Sequence, residues 1–284
     1  MSTPAFSDVA QPSAAKSKEQ TVKLTRFIIV HGDKGGVGKS FVAQALADVL
    51  AIEGGKVAVI DADTSNPDVS RMFADSMPSI RTDVRSENGN GWMDVMDFVT
   101  EHAGFTIVMN TPAGIGDSMK SDMASFATFL SEQETPVEME LWWVMNIQHD
   151  SVNLLNMAYS SYGQYFSRIR VVCNLFFANG DKSDHGPYFL WNESPLKANI
   201  EKKNGATIYF PGLHGRVVKK LFDPEKIMPF SQAVDAVVGE SLDLSSSERW
   251  KLQQWMSDVK GLFSSTLTQG STATSATTEK IKSR

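Results

Sequence analysis

The stretch Gly32-Asp33-Lys34-Gly35-Gly36-Val37-Gly38-Lys39-Ser40 follows the apolar run Phe27-Ile28-Ile29-Val30 and opens a helical pattern over 39–53. A strand, a glycine-rich loop and a helix in that order is the setting in which G-x-x-x-x-G-K-[ST] becomes a phosphate cradle. Gly35, Gly36 and Gly38 allow the backbone to curl so that successive N–H groups face one anion, and the helix adds its positive dipole end. Asp33 stands where the pattern opens with glycine, so the loop is a variant. Lys39 is expected to bridge β- and γ-phosphate oxygens. Ser40 offers a hydroxyl to Mg²⁺, which prefers octahedral oxygen ligands. A glycine-rich turn that binds nothing is the bland alternative, disfavoured because strand, helix, Lys and Ser are all in place.

Short β-rich runs at 27–30, 57–60, 105–109, 139–144, 169–173 and 208–210 alternate with helical patterns at 39–53, 92–101, 118–132 and 151–162. This rhythm predicts an α/β fold, a doubly wound, mostly parallel sheet with helices on both faces. At 284 residues and 42% hydrophobic content, one domain is expected. It is placed at 23–263, between a disordered segment 1–22 and a disordered tail 264–284 that lack apolar periodicity. The segment 176–195, rich in Gly, Asn, Asp and Pro, reads as a functional loop or a lid. A net charge of -6 argues against a surface coated in positive charge. Cys173, the sole cysteine, excludes an intramolecular disulfide and reads as a buried thiol in a reducing cytoplasm. Neither a signal-peptide stretch in 1–20 nor a bilayer-length apolar run is present, so a soluble cytoplasmic protein is expected.

The segment from Lys34 to Ser40 resembles the deviant phosphate loop of the ParA/MinD family of P-loop ATPases, and Lys34 is the discriminating residue. The resemblance implies ATP and Mg²⁺ as ligands and an ATP-dependent homodimer, with Lys34 reaching the partner's phosphates. A cation placed against charge developing on the transferred phosphoryl group acts as an arginine finger does. A solvated lysine is the alternative. The cradle is formed by Gly35, Gly36, Val37, Gly38, Lys39 and Ser40.

A second motif, Val57-Ala58-Val59-Ile60-Asp61-Ala62-Asp63, ends a buried strand in two carboxylates at the carboxyl edge of the sheet. Alternation puts Asp61 and Asp63 on one face, where both can address one metal and water. The resemblance assigns Asp61 to the Mg²⁺ shell and Asp63 to orienting the attacking water, with a switch-like turn over 64–68. Strand-end caps are the alternative. The run Phe105-Thr106-Ile107-Val108-Met109, followed by Thr111-Pro112-Ala113-Gly114, resembles the Walker B strand, yet its acidic position holds Asn110. An amide accepts a hydrogen bond from metal-bound water but brings no negative charge. A metal site of Ser40, Asp61 and Asn110 is therefore weakened: either Asp61 or Asp117 carries more of the burden, or the ATPase is slow or inactive. The resemblance also implies that Asn174 binds adenine and that Pro211, in Phe210-Pro211-Gly212-Leu213, packs on the ring. An Asn after an apolar strand is otherwise a turn former.

His31 beside the loop reads as strand-end packing, and the remaining histidines lack close metal-ligand spacing. Arg216, Lys219 and Lys220 form a basic cluster at helical spacing. It is a contact for nonspecific DNA or, favoured, a solvated helix face. Leu252, Trp255, Met256, Val259, Leu262 and Phe263 predict an amphipathic helix, N-capped within 245–247, that docks onto the domain; its mixed-sign polar face disfavours a membrane. The resulting expectation is an ATPase switch in plasmid segregation or conjugative transfer, with an activating partner protein. The alternatives are a positioning or assembly ATPase serving a protein machine or membrane, and a nucleotide-binding regulatory module without hydrolysis.

Overall fold

The computed structural model describes residues 24–85, 90–223, 226–236 and 242–268. Seven strands form one sheet in the order β3-β2-β4-β1-β5-β6-β7. They are β1 (Thr25–His31), β2 (Val57–Asp61), β3 (Ser79–Arg81), β4 (Thr106–Asn110), β5 (Val137–Met145), β6 (Arg168–Asn174) and β7 (Ala206–Phe210). Every pairing is parallel. The predicted strands all occur, and β3 is added at the edge. Its three residues are too short to carry a periodic signal.

Among the described residues, ten α-helices cover the two faces: α1 (Lys39–Ile52), α2 (Asp68–Phe73), α3 (Asn90–Glu101), α4 (Gly116–Ser131), α5 (His149–Tyr162), α6 (Phe189–Asn192), α7 (Pro195–Lys202), α8 (Gly215–Leu221), α9 (Phe230–Asp235) and α10 (Ser246–Thr268). Alternation in β1 divides the core. Phe27 and Ile29 join the layer packed with α3 to α7, while Ile28 and Val30 join the layer packed with α1, α2 and α8 to α10. Both layers are built from aliphatic and aromatic side chains that leave water together, the main stabilising term of such a fold.

The docked amphipathic helix is α10. Leu252, Trp255, Met256, Val259 and Phe263 are buried, Leu262 partly so, and the indole of Trp255 donates to the Pro211 carbonyl at 2.8 Å. Ser245 and Glu248 make a reciprocal capping box: Glu248 N–H donates to Ser245 Oγ at 3.4 Å, and Ser245 N–H donates to Glu248 Oε2 at 2.9 Å. The helix continues to Thr268, so the domain boundary placed at 263 falls inside it. Residues 1–22 and 269–284, expected to be disordered, lie outside the described residues. The segment 176–195 is less irregular than its composition suggests, since it contains α6 and Tyr188, whose hydroxyl donates to the Asn174 carbonyl at 2.7 Å and lies 3.1 Å from that of Met145. Among the described residues, no helix is long and apolar enough to cross a membrane.

Candidate phosphate site

The chain winds from β1 out to β2 and β3, returns to β4 beside β1, and then crosses to β5, β6 and β7 on the other side. Ligands of open α/β sheets sit beyond the carboxyl ends of the strands at such a reversal. Register brings the candidate residues to that edge: Val30 and Asp61 both pair with Asn110, and Asn174 pairs with Phe210. A cavity of about 510 Å³ opens there, lined by Gly35, Gly36, Gly38, Lys39, Ser40 and Asp63 among others. This is within the ~300–1,000 Å³ of small-ligand sites.

The loop 32–40 is shaped by its glycines at two places. Gly38 has φ 97°, and a Cβ there would lie 2.5 Å from Asn174 Nδ2; Gly32 is pressed against the Val144 carbonyl, where a Cβ would come within 2.3 Å. A side chain at Gly38 would meet both a disfavoured backbone region and an occupied space. Gly38 also heads α1, which has no side-chain cap and no acid in its first turn. Its first N–H groups thus remain for an anion. Lys39, mostly buried, donates to the Lys34 carbonyl at 3.1 Å. Burial lowers its pKa, opposed by the nearby Asp63 and Asp33 carboxylates. A triphosphate would supply the counter-charge that this desolvated ammonium lacks.

Lys34 Nζ contacts Asp150 Oδ2 on α5 at 3.0 Å, with 32% of the lysine side chain and 68% of the aspartate side chain exposed. The signature lysine is therefore neither fully solvated nor turned onto its own loop.

The two aspartates differ in their surroundings. β2 ends at Asp61, whose carboxylate turns inward. Its Oδ2 accepts from the N–H groups of Val69 and Ser70 at the start of α2, both at 3.0 Å, and its Oδ1 accepts from Asp63 N–H at 3.3 Å and Asn110 Nδ2 at 3.0 Å. Burial raises its pKa despite these donors. Asp61 thus organises the switch-like turn. Asp63, past the strand end, is the carboxylate that lines the cavity. Through Asn110, Asp61 is one side chain removed from Ser40, since Asn110 Nδ2 donates to both.

Asn110 Nδ2 also donates to Ser40 Oγ at 3.3 Å, while its Oδ1 is buried and has no partner among the described residues. Ser40 offers a neutral hydroxyl oxygen of the kind Mg²⁺ takes, but the amide of Asn110 presents its nitrogen, not its oxygen, to that hydroxyl. Asp117, the proposed substitute, lines a separate small cavity with Asp33 and Lys120.

His31 fills the strand end as expected. It is fully buried, lies edge-on to Trp143, and its Nδ1 is 2.9 Å from Thr111 Oγ1. The Thr111 hydroxyl donates to the Val30 carbonyl at 3.1 Å, so His31 Nδ1–H is the donor to it. Burial, and secondarily Lys39, lowers the His31 pKa to about 3. The loop after β4 is tied to the phosphate loop again through Gly114 N–H to the Asp33 carbonyl at 3.1 Å, and Gly116 N–H to Asp33 Oδ1 at 3.3 Å.

Asn174 borders the cavity, but its amide is engaged with Val37 and Phe176. Pro211 lines the neighbouring cavity instead; Leu213, two residues on, reaches the phosphate cavity. Sequence reasoning missed Phe41, Asn66, Phe176, Phe177, Val218 and Phe222, all of which line it. Only Phe41 carried a positional signal, as the residue after Ser40. In the basic cluster, Arg216 and Lys220 both pair with Glu248, at 3.2 and 2.8 Å, and the Arg216 side chain stays 74% exposed.

Residues 23–118 match the family described as ParA, the NUBPL iron-transfer P-loop NTPases. Protein MobD of Acidithiobacillus ferrooxidans is 26% identical over 232 residues, covering 82% of this chain and 93% of that protein. An iron-sulfur cluster carrier protein of Methanocaldococcus jannaschii is 43% identical over 59 residues, only 21% of this chain and 20% of the carrier. Among solved structures, a nucleotide-binding protein in complex with ADP from Archaeoglobus fulgidus aligns with a TM-score of 0.45 at 19% identity, covering 69% of this chain and 85% of that one.

Proposed function

We propose that this chain, whose residues 23–118 match the ParA family of P-loop NTPases and which resembles protein MobD over most of its length, is a switch that binds ATP with Mg²⁺, dimerises while the triphosphate is bound, and hydrolyses it slowly. The observation that carries this reading is the loop 32–40, an uncapped helix N-terminus with the Lys39 ammonium at one cavity and Lys34 beside it, paired with Asp150. Lys39 and the α1 N–H groups hold phosphate charge. Lys34, on the exposed rim, is the group available to a second copy, once released from Asp150. Asp63 is the carboxylate in the cavity that orients a water. Mg²⁺, held by Ser40, would neutralise charge on the phosphate oxygens. The neutral amide at Asn110 and the inward-turned Asp61 leave little fixed negative charge for it, which supports slow turnover. The same observation favours a second reading, a regulatory module that binds nucleotide without hydrolysis.

The cellular role we assign is plasmid segregation or conjugative transfer in the cytoplasm, driven by an activating partner protein. It rests on the family resemblance. A role as an iron-sulfur carrier is poorly supported by chemistry, since clusters are held by several thiolates and this chain has one cysteine, buried at Cys173 with its pKa raised by burial.

Calorimetry with Mg·ATP tests the binding claim. Lys39→Ala should weaken affinity by at least about tenfold, the value of a charge-assisted hydrogen bond. Unchanged affinity in a folded variant refutes the phosphate site. Phosphate release by the wild-type protein separates the slow enzyme from the non-hydrolysing module.

A further inference from the structure

A second cavity, of about 180 Å³, lies between α4 and α5 and shares no lining residue with the phosphate cavity. It is smaller than the ~300–1,000 Å³ of small-molecule sites, so it suits one side chain rather than a nucleotide. The buried indole of Trp143 and the α5 residues Leu154, Met157 and Ala158 give it an apolar wall. Its charged groups come from two other elements: Asp33 from the phosphate loop, and Asp117 and Lys120 from α4. Asp33 Oδ1 accepts from Gly116 N–H at 3.3 Å, which leaves Oδ2 without a hydrogen bond among the described residues. Asp117 and Lys120 make no side-chain hydrogen bond or ion pair among the described residues, with each other or with anything else.

Tyr162, the last residue of α5, adds the observation that points to a ligand. It is 2% exposed, its ring meets Phe166 edge-on at 6.4 Å, and its hydroxyl has no hydrogen-bond partner among the described residues. Burial, and secondarily the Asp33 charge, raises its pKa, so the hydroxyl lies within the field of that carboxylate. A buried hydroxyl without a partner is costly, and a donor entering the cavity relieves that cost. Two carboxylates and a phenol oxygen thus face one small apolar-walled space. A guanidinium matches this set, because its planar fork of five N–H donors reaches acceptors on several sides and its flat face stacks on an indole. An ammonium offers three donors and is more strongly hydrated.

We propose that this cavity receives an arginine side chain of a partner protein, held by Asp33, Asp117 and Tyr162, and that the phosphate loop feels its charge through Asp33. The coupling rests on the nucleotide reading of that loop, whereas the arginine site does not. Asp33 accepts from Gly114 N–H through its carbonyl, and its carboxylate supports the charge of the Lys39 ammonium. Pairing Asp33 with a guanidinium offsets a negative charge near a bound triphosphate, so ATP binds more tightly when the cavity is filled. By linkage, ATP tightens the arginine by the same factor. The guanidinium stays in its own cavity and so differs from a cation set against the transferred phosphoryl group.

Titration of the isotope-labelled full chain with N-acetyl-arginine amide, followed by NMR, tests the site. The Gly114 and Gly116 amides and the Trp143 indole should shift together, with a Kd on the order of 1 mM for a ligand of this size. N-acetyl-citrulline amide, which keeps the shape without the charge, should bind at least about tenfold more weakly, and N-acetyl-lysine amide should also be weaker. Asp117→Asn and Tyr162→Phe should each weaken the arginine amide by about tenfold. Tyr162→Phe should not lower the unfolding midpoint, because the hydroxyl it removes has no partner. In calorimetry, saturating arginine amide should tighten Mg·ATP by about twofold to tenfold. Equal binding of the citrulline or lysine amide overturns the proposal, as do arginine shifts that persist unchanged in both variants. Arginine amide that binds while ATP affinity stays unmoved overturns the coupling. Failure of ATP to bind with or without arginine amide overturns the nucleotide reading and leaves the arginine site standing.

Discussion

Replacing Asn110 by aspartate sets two forces at the site against each other. Asn110 Nδ2 donates to Asp61 Oδ1 at 3.0 Å, and burial already raises the Asp61 pKa. Asn110→Asp removes that donor and brings a second carboxylate to the same place. Two unit charges about 3 Å apart repel by roughly 5 kcal/mol at an effective dielectric of about 20. The pair escapes most of this by keeping one proton. Holding that proton at pH 7 costs up to about 4 kcal/mol for a carboxyl of ordinary pKa near 4. The ligand-free variant should therefore lose on the order of 3 kcal/mol at pH 7, lowering its unfolding midpoint by on the order of 10 °C. The folded pair has the raised pKa and binds more protons than the unfolded chain, so the loss grows as pH rises above about 4 and shrinks on acidification. With Mg²⁺ and ATP the balance turns, because the added charge then faces a cation. The Mg²⁺ concentration for half-maximal phosphate release should fall by ~10 to 100-fold. Thermal unfolding followed by circular dichroism at pH 5.5 and 7.5, with and without Mg·ATP, measures the first effect, and a Mg²⁺ titration the second. A midpoint equal to wild type at both pH values refutes the charge argument. A lowered midpoint with an unmoved Mg²⁺ curve places Asn110 outside the metal's surroundings.

Lys34→Ala should keep ATP affinity within about threefold, since any bond it makes to the bound protomer's own nucleotide is exposed, yet lose ATP-dependent dimerisation; a variant that still doubles its mass in light scattering with ATP sinks that role. Asp150→Ala frees Lys34 from an exposed pair worth at most ~1 kcal/mol, so dimerisation should strengthen by no more than about fivefold with little change in unfolding midpoint. A large loss of stability would contradict that estimate. Gly38→Ala should cost ~1–3 kcal/mol from backbone strain, to which contact with Asn174 adds; urea unfolding alongside Gly36→Ala, where a Cβ has open space, separates strain from crowding. His31, with its pKa lowered to about 3 by burial, should stay neutral from pH 6 to 8. The unfolded chain takes up that proton first, so the contribution of His31 to stability falls as pH drops below about 6.5. Ring resonances in proton NMR that titrate near 6.5 would contradict the burial.

The reach of the sequence alone differs from one feature to the next. It determined the α/β alternation and the phosphate loop because each is written in consecutive residues: apolar runs of strand length, the helical period, and glycines where only a side-chain-free backbone can curl. It also determined the docked last helix, through apolar spacing and a Ser–Glu capping box. Asp61 and Asp63 mark the limit. Periodicity put them together, but the end of β2 at Asp61 turned one carboxylate into the N-terminus of α2 and left the other in the cavity. The places of Asn174 and Pro211 and the apolar wall of the cavity were decided only in three dimensions. Phe41, Phe176 and Phe222 are far apart in the chain and resemble core residues in composition. They become a wall because parallel crossovers bring the carboxyl ends of β1, β6 and β7 to one edge. The partners of Lys34 and Arg216 were likewise invisible, since Asp150 and Glu248 approach them from other helices. Local pattern fixes which backbone conformations are favourable, whereas the pairing of side chains across elements depends on strand order and helix docking, which no short window of sequence contains.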